Sequence, residues 1–385
     1  MSAPKVLNFG AGPARIPEEV LRKAQADFLN YDNTGMSIME LSHRTKTFDN
    51  LVNKAKSNLS RLLSIPENYE IIFMQGGGTT QFSAVVYNLL AAKAKRDPGA
   101  TSPPVDYIIT GSWSAKAAEE AARLGANVNI VFNTKKLRGA YSGIPPTSEW
   151  QLSGPSAAYV YYCDNETVHG VEFSSVPEID PSVPLVADMS SNILSRRVDV
   201  SRFGVIYAGA QKNIGPAGTT VVIVRRDLLA PPNSAKETNG LPVIPLMLDY
   251  WTHAENNSMY NTPPMFGIYI SALVFEWLEG VGGVAAIEEA NREKARRLYE
   301  AIDGSAIYKS VVERESRSRM NVTFRIYPEE LEKEFLKGAE ARGYVQLKGH
   351  RSVGGIRASI YNAMPLEGVE ELLAYMAEFE KANAN

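Results

Sequence analysis

The chain has little cysteine, little charge imbalance and no long apolar run. Cys163 is the single cysteine among 385 residues, so an intrachain disulfide is excluded. The formal net charge of −3 gives no basic excess that would favour nucleic acid as a partner. No run approaches the roughly 20 apolar residues that span a bilayer, and the N-terminus lacks the apolar core of a signal peptide. We therefore expect a reduced, soluble, cytoplasmic protein that binds neither nucleic acid nor a membrane.

The first two thirds of the chain predict an α/β fold. The length predicts about two domains. Helical patterns such as Gln81–Leu90 and Ser114–Leu124 alternate with short β-rich segments, several of them apolar on both faces as in a buried parallel sheet. The predicted strands are Glu70–Met74, Tyr107–Thr110, Val128–Phe132, Ala157–Cys163, Leu185–Ala187, Gly204–Tyr207 and Thr219–Val224. We expect a large domain, residues 16–268, with a mostly parallel seven-stranded sheet flanked by helices.

The last third of the chain has a different pattern. Alternating or apolar runs predict two strands, Met320–Ile326 and Ile356–Ile360. Periodic apolar residues predict helices at Gly282–Ile302, Glu329–Arg342 and Leu366–Lys381. This order predicts a smaller α+β C-terminal domain, residues 269–385, to which we add the N-terminal segment 1–15. The segment 230–240 predicts a loop.

Two ionisable side chains follow apolar strands. Lys212 stands between the strand ending near Tyr207 and a glycine-rich turn, where partial desolvation would lower its pKa and expose a neutral, nucleophilic amine. A solvated lysine in a surface loop would give the same local pattern. Asp188 ends the run 184–188 and would point into the crevice where α/β proteins bind ligands, able to hold a pyridinium nitrogen protonated. A helix N-cap explains Asp188 equally well.

Two further motifs also follow predicted strands. The segment Gln75–Phe82 places three glycines before a helix, where backbone amides and the helix dipole favour a phosphate. It matches neither the Walker A motif nor the dinucleotide fingerprint, and a tight strand–helix turn is the alternative. Trp113 is placed to stack on a flat ring, or else to pack in the core. Together, an amine, a carboxylate, a phosphate cradle and an aromatic plate are the groups that pyridoxal phosphate (PLP) needs.

The chain resembles the phosphoserine aminotransferase family of fold-type-I PLP enzymes. The similarity covers nearly the whole chain in order. The matching blocks are NFGAGP at Asn8–Pro13, MELSHR at Met39–Arg44, QGGGTTQF at Gln75–Phe82, GSWS at Gly111–Ser114, NETVHGVEF at Asn165–Phe173, VADMSSN at Val186–Asn192, AGAQKNIGPAG at Ala208–Gly218, NTPP at Asn261–Pro264 and GHRSVGGIRASIYNAMPLEGV at Gly349–Val369.

The resemblance implies a role for each residue of a PLP site. Lys212 would bond the cofactor, and Asp188 would pair with the ring nitrogen. Trp113 would stack on the pyridine, and Thr167 would lie near the ring hydroxyl. The cofactor phosphate would be held by Gly78, Thr79 and Gln211, and by Asn261 and Thr262 from the other subunit of a homodimer. No metal ligand is implied.

The substrate end is predicted from charge. The pairs His43-Arg44 and His350-Arg351 contain two of the four histidines, and Arg357 follows closely. Planar arginine side chains bind carboxylates and phosphates bidentately, although solvated surface charge is the commonest fate of an arginine. By resemblance, Arg357 binds the α-carboxylate of the substrate. The two His-Arg pairs then bind its distal anion.

The implied reaction interconverts 3-phosphoserine plus 2-oxoglutarate with 3-phosphohydroxypyruvate plus glutamate, in serine biosynthesis. An alanine–glyoxylate aminotransferase and a cysteine desulfurase are alternatives within the fold type. A desulfurase needs a cysteine on a mobile loop, whereas Cys163 lies in a predicted apolar strand. A non-catalytic PLP-binding scaffold is the alternative outside enzymes, and the presence of Lys212, Asp188 and the arginines argues against it. The use of phosphorylated four-carbon substrates of vitamin B6 synthesis stays open.

Overall fold

The computed structural model of the chain describes residues 6–231 and 243–383. The helices are α1 (Glu18–Asp27), α2 (Lys46–Leu63), α3 (Gly77–Arg96), α4 (Ser112–Arg123), α5 (Thr134–Arg138), α6 (Tyr250–Glu255), α7 (Met265–Gly280), α8 (Gly283–Asp303), α9 (Leu331–Ala341) and α10 (Leu366–Asn383). The strands are β1 (Leu7–Asn8), β2 (Tyr69–Gln75), β3 (Pro104–Ile109), β4 (Asn127–Asn133), β5 (Tyr159–Cys163), β6 (Asn165–Glu166), β7 (Val171–Glu172), β8 (Leu185–Asp188), β9 (Val205–Gly209), β10 (Thr219–Arg225), β11 (Tyr308–Lys309), β12 (Asn321–Ile326), β13 (Tyr344–Val345) and β14 (Ile356–Ser359). Of the loop predicted at 230–240, residues 232–240 lie outside the described residues.

The main sheet has seven strands in the order β2-β10-β9-β8-β5-β3-β4. Strand β10 is antiparallel to both of its neighbours, and the other pairs are parallel. Each of the seven strands predicted from the sequence is present in this sheet. The prediction of a mostly parallel seven-stranded sheet is therefore confirmed.

Helices cover both faces of the sheet. Along β2, Ile71 and Phe73 face the cluster formed with α2 and α7, while Ile72 and Met74 face the cluster formed with α3 and α4. This alternation follows from the two-residue period of a strand. Because both faces are covered, the strands are apolar throughout, which is why they stand out in the sequence. Helix α7 is buried on nearly all sides, with Phe275 and Leu278 fully inaccessible.

A second core lies at the C-terminal end of the chain. Strands β11, β12 and β14 form an antiparallel sheet. Strand β1 pairs with β13, so that Leu7 and Phe9 are buried with residues of α8, α9 and α10. The predicted helices and strands of this region are present, with boundaries shifted by one or two residues.

The topology brings distant sequence segments to one edge of the main sheet. Strands β2, β3, β5, β8 and β9 run in the same direction, so their carboxyl ends meet there. In open α/β sheets, ligands bind outside these ends. Within residues 6–231 and 243–383, no single helix has both the length and the apolar character to cross a membrane, although α7 and α8, which meet at a bend of 82°, satisfy these criteria as a pair.

Candidate active site

A cavity of about 290 Å³ opens at the carboxyl edge of the main sheet. Its walls come from segments that are far apart in the sequence, including the N-terminal loop and the end of β14. It brings together most of the residues predicted to bind the cofactor and two of those predicted to bind substrate. These are Gly78, Thr79, Trp113, Thr167, Asp188, Gln211, Lys212, His350 and Arg357.

Lys212 lies three residues past the end of β9 and is partly buried. Its Nζ donates a hydrogen bond to Thr167 Oγ1 at 2.8 Å. Burial lowers the pKa of this amine, and the nearby carboxylate of Asp188 partly opposes the shift. The N-terminal loop passes close by, since a Cβ on Gly12 would lie 3.4 Å from Lys212 Cγ. The position suits a neutral amine that faces the cavity, as predicted for Lys212, and not a solvated surface lysine.

Asp188 is the last residue of β8, and its side chain is buried at the cavity wall. The backbone N–H of Ser190 donates to Asp188 Oδ1 at 2.9 Å. Burial raises the pKa of this carboxyl group, while the Ser190 hydrogen bonds and the charge of Lys212 oppose the rise. Asp188 therefore accepts a hydrogen bond within the turn that follows β8, as a capping residue does, and it also faces the cavity.

The glycine-rich turn after β2 forms the start of α3. Gly76 has φ +96°, a conformation that favours glycine, and the helix begins at Gly77. The sequence predicted a later start, at Gln81. Gly78 and Thr79 therefore lie in the first turn of a 20-residue helix, where amides have no intrahelical carbonyl partner. Because these amides are unpaired and the helix dipole favours negative charge, this part of the cavity wall suits an anion.

Trp113 lies in the first turn of α4 and contacts both the core and the cavity. Its indole Nε1 is buried and has no hydrogen-bond partner among the described residues. The Nζ of Lys116 lies 4.6 Å from the ring centroid. The two predicted roles of Trp113, stacking on a ligand and packing in the core, are thus compatible.

An arginine and a histidine also line the cavity. Arg357 on β14 donates through Nη1 to the carbonyl oxygen of Thr167 at 3.3 Å, while its buried Nε has no partner among the described residues. Burial lowers the pKa of this guanidinium. Burial and then the charge of Arg357 lower the pKa of His350, whose Nδ1 lies 2.7 Å from Ser352 Oγ. An anion placed here would satisfy the unpaired Nε.

Five predicted site residues do not line the cavity of their own chain. Arg351 is exposed on the turn next to His350. The other four lie on two segments that precede α2 and α7, namely His43, Arg44, Asn261 and Thr262. The carbonyl oxygen of Thr262 accepts a hydrogen bond from Gln75 Nε2 at 3.3 Å, just outside the cavity.

Several cavity residues were not predicted from the sequence. Ala11 and Gly12 belong to the NFGAGP block, which contributes to the family resemblance but to which no function was assigned from the sequence. Asn165, Ser190 and Ser191 lie beside predicted residues along the chain, and Phe82 and Val168 add apolar wall. Cys163 ends β5, is buried, and also lines the cavity.

The residues present fit PLP. A partly desolvated amine, a buried carboxylate, a helix N-terminus and an indole face one cavity, as the aldehyde, ring nitrogen, phosphate and ring of PLP require. The start of α3 is also closely packed against the ends of neighbouring strands. A Cβ on Gly78 would lie 3.3 Å from Ser190 Oγ and 3.6 Å from Asp188 Oδ2.

Comparison with known proteins identifies the family of the chain. The class-V aminotransferase family model matches residues 6–372. Phosphoserine aminotransferase of Nitrosomonas europaea is 50% identical to this chain, covering 99% of this chain and 100% of its own length. The protein of that name from Drosophila melanogaster is 51% identical, with coverage of 99% and 100%.

Solved structures give the same result and confirm the predicted fold type. Phosphoserine aminotransferase from Bacillus circulans subsp. alkalophilus has a TM-score of 0.90 at 46% identity, over 99% of both chains. The PLP-bound phosphoserine aminotransferase from Trichomonas vaginalis has a TM-score of 0.87 at 41% identity, over 97% of this chain and 100% of its own. The chain therefore belongs to the class-V aminotransferases, and within them to the phosphoserine aminotransferase family.

Proposed function

We propose that this chain transfers an amino group between 3-phosphoserine and 2-oxoglutarate, giving 3-phosphohydroxypyruvate and glutamate, as a step of serine biosynthesis. One observation carries the proposal: Lys212 and Asp188 share a cavity with Arg357 and His350. The first pair suits PLP chemistry, and the second pair suits a substrate with two anionic groups. The family relationship supports the same reaction.

The cofactor is pyridoxal phosphate, which when bound supplies an electron-withdrawing ring next to the amino group being transferred. We assign Lys212 as the residue that bonds it and Asp188 as the partner of its ring nitrogen. Trp113 packs on one face of the ring, and Thr167 lies near the ring hydroxyl. The phosphate is assigned to the start of α3, at Gly78 and Thr79, with Gln211.

Lys212 also moves the proton in this scheme. Its Nζ lies in the cavity within hydrogen-bond distance of Thr167 Oγ1, so Thr167 can orient the amine whenever it is not bonded to the cofactor. Because burial lowers its pKa, the neutral form that accepts a proton is more populated than for a solvated lysine. Thr167 thus contacts the general base and, through its carbonyl oxygen, the substrate-binding Arg357.

The substrate is assigned to the cationic end of the cavity. Arg357 binds the α-carboxylate, since its buried Nε lacks a partner among the described residues. His350 and Arg351 bind the distal group, which is a phosphate in one substrate and a carboxylate in the other. His350 lines the cavity and Arg351 is exposed on the adjacent turn, so a site that accepts both groups is built from side chains on a loop rather than from one rigid pocket.

The remaining assigned residues imply a homodimer with shared sites. His43, Arg44, Asn261 and Thr262 do not line their own chain's cavity, and in a two-fold dimer they would reach the neighbouring one. We further propose a cytoplasmic enzyme with a large domain at 16–268 and a small domain at 269–385 plus 1–15. The pairing of β1 with β13 supports grouping the N-terminal segment with the small domain.

The test is a coupled assay on the purified protein with phosphoserine and 2-oxoglutarate. We expect glutamate to form only when both substrates are present, and much faster than with alanine and glyoxylate. Sulfide release from cysteine is not expected, because Cys163 is buried at the end of β5 and burial raises the pKa of its thiol well above the ordinary value. Faster turnover of alanine with glyoxylate would overturn the substrate assignment.

A further inference from the structure

Glu166 is a buried carboxylate that the scheme above does not use; it stands between Asn165 and Thr167, which both line the cavity, and does not line the cavity itself. It lies on β6 beside Thr167, and its side chain is fully inaccessible. Among the residues that the structure describes, its carboxylate oxygens accept hydrogen bonds from Trp113 and Ser114 and not from a cationic side chain. A buried charge without a cation needs other compensation, because desolvation disfavours the charged form. Burial indeed raises the pKa of Glu166, and hydrogen bonds from Ser114 and Trp113 oppose the rise.

The compensation comes from the first turn of α4. The backbone N–H of Trp113 donates to Glu166 Oε2 at 2.9 Å, and that of Ser114 donates to Oε1 at 2.8 Å. The hydroxyl of Ser114 donates to the same Oε1. These amides are among those that a helix leaves without carbonyl partners, and the helix dipole favours an anion at this end. A carboxylate that is distant in sequence therefore caps the helix that carries Trp113.

Gly111 is what allows the carboxylate to come so close. A Cβ at this position would lie 2.2 Å from Glu166 Cδ and 2.4 Å from Oε2. The backbone of Gly111 is extended, so close approach and not its dihedral angles requires glycine here. The contact thus depends both on the carboxylate of Glu166 and on the absence of a side chain at Gly111.

The same residue fixes the segment that carries Thr167. The carbonyl oxygen of Glu166 accepts hydrogen bonds from His169 and Gly170, which closes the turn around Thr167. On that turn, Thr167 accepts from Lys212 Nζ. The side chain of Glu166 therefore holds the start of α4, and its backbone holds the turn that orients Lys212.

We propose that Glu166 is a positioning residue that sets the placement of the Trp113 ring relative to Thr167 and Lys212, and so the stacking of Trp113 on the cofactor. The inference rests on the proposed function, because it assigns Trp113 to the cofactor ring. Glu166 itself is not assigned to touch the cofactor or the substrate. Its effect passes through the first turn of α4.

The test is Glu166→Gln, which keeps the shape of the side chain. A carboxamide has one acceptor oxygen and one NH₂ donor, so it faces one of the two backbone N–H groups with a donor. The first turn of α4 must then shift. We expect apoenzyme of this variant to bind PLP about two- to tenfold more weakly, the range expected when an aromatic contact is lost, and to change the visible circular dichroism of the bound cofactor.

Glu172→Gln is the matched control. Glu172 is also buried and lies on β7, which pairs with β6, but its partners Arg319, Asn192 and Arg196 lie outside α4. This change should lower the unfolding temperature and leave the PLP affinity and circular dichroism unchanged. Ser114→Ala removes the hydroxyl donor to Glu166 and the acceptor for the backbone N–H groups of Thr110 and Gly111, but it leaves both backbone donors to the carboxylate, so it should give a change of the same kind if Glu166→Gln does not fold.

A double-mutant cycle separates positioning from general damage. In a Trp113→Ala background, Glu166→Gln should weaken PLP binding no further, because the residue it positions is absent. A full additional loss in that background would overturn the inference, as would unchanged PLP affinity and dichroism in both Glu166→Gln and Ser114→Ala. If wild-type protein fails to bind PLP, the proposed function itself is wrong, and that outcome is distinct from the others.

Discussion

A mixed dimer separates residues that complete a neighbouring site from residues that serve their own chain. Within one chain, Lys212 lines the cavity, whereas Arg44 is exposed and does not. Consider Lys212→Ala, expected to be inactive alone, and Arg44→Ala, expected to retain little activity alone, unfolded together and refolded at equal amounts. If Arg44 acts in the neighbouring subunit, each mixed dimer contains one site with both defects and one site with neither.

The fraction of activity that should be recovered follows from the statistics of pairing. Random pairing makes about half of the dimers mixed, and one of the two sites in each is intact, so about a quarter of wild-type activity should return. Glutamate formation from phosphoserine and 2-oxoglutarate measures it. The control pairs Lys212→Ala with Asp188→Asn: both residues line one chain's cavity, so every site keeps one defect and nothing should return. If the Lys212→Ala and Arg44→Ala mixture also recovers nothing, Arg44 acts in its own chain and the shared-site proposal is wrong.

Three further predictions address single residues. Asp188→Asn should retain PLP but lower kcat by about a hundredfold or more, since about 3 kcal/mol of transition-state stabilisation depends on the charge; near-normal turnover would reduce Asp188 to a cap. Arg351→Ala should lower kcat/KM for phosphoserine and for glutamate by about tenfold to a hundredfold, the value of a charged hydrogen bond, with the PLP spectrum unchanged; unaltered kinetics would make Arg351 a solvated charge. Burial lowers the pKa of Lys294, while three backbone carbonyl oxygens that accept from its Nζ favour the charged amine and limit the shift; because the pKa is lower in the folded chain, the unfolded chain binds more protons at this residue above neutral pH, and the folded state gains stability as pH rises toward about 10. Urea unfolding should show this rise, up to about 1.4 kcal/mol per pH unit, and Lys294→Met should flatten it; equal slopes in both proteins would contradict the assignment.

The parts of the fold that could be predicted are those whose signal is local. Each strand of the main sheet is a short apolar run because helices cover both faces. The start of α3 was predicted too late, because glycines disfavour helix interiors. In the folded chain the hydroxyl of Thr220 accepts from the N–H of Gly77 at 2.8 Å, which supports a helix start that the local sequence does not favour.

The site residues likewise differ in whether the local sequence indicates them. Lys212, Asp188 and Trp113 could be predicted because each follows a strand of one sheet, and the topology brings those ends together. Glu166 could not be predicted, because its value lies in hydrogen bonds to a helix 52 and 53 residues away in the sequence. Nothing in the segment around it marks a carboxylate that caps that helix. Under the shared-site proposal, Arg44 and its neighbours act in a second chain, so the pattern of one sequence does not show what they contact.

The most direct test of the account is to identify the residue that bonds PLP. Purified protein should be yellow, and reduction with borohydride should fix the cofactor to one lysine. Peptide mapping after reduction should place the label on Lys212, whose Nζ faces the cavity beside Thr167. A label on any other lysine, or the absence of a label, would contradict the central claim.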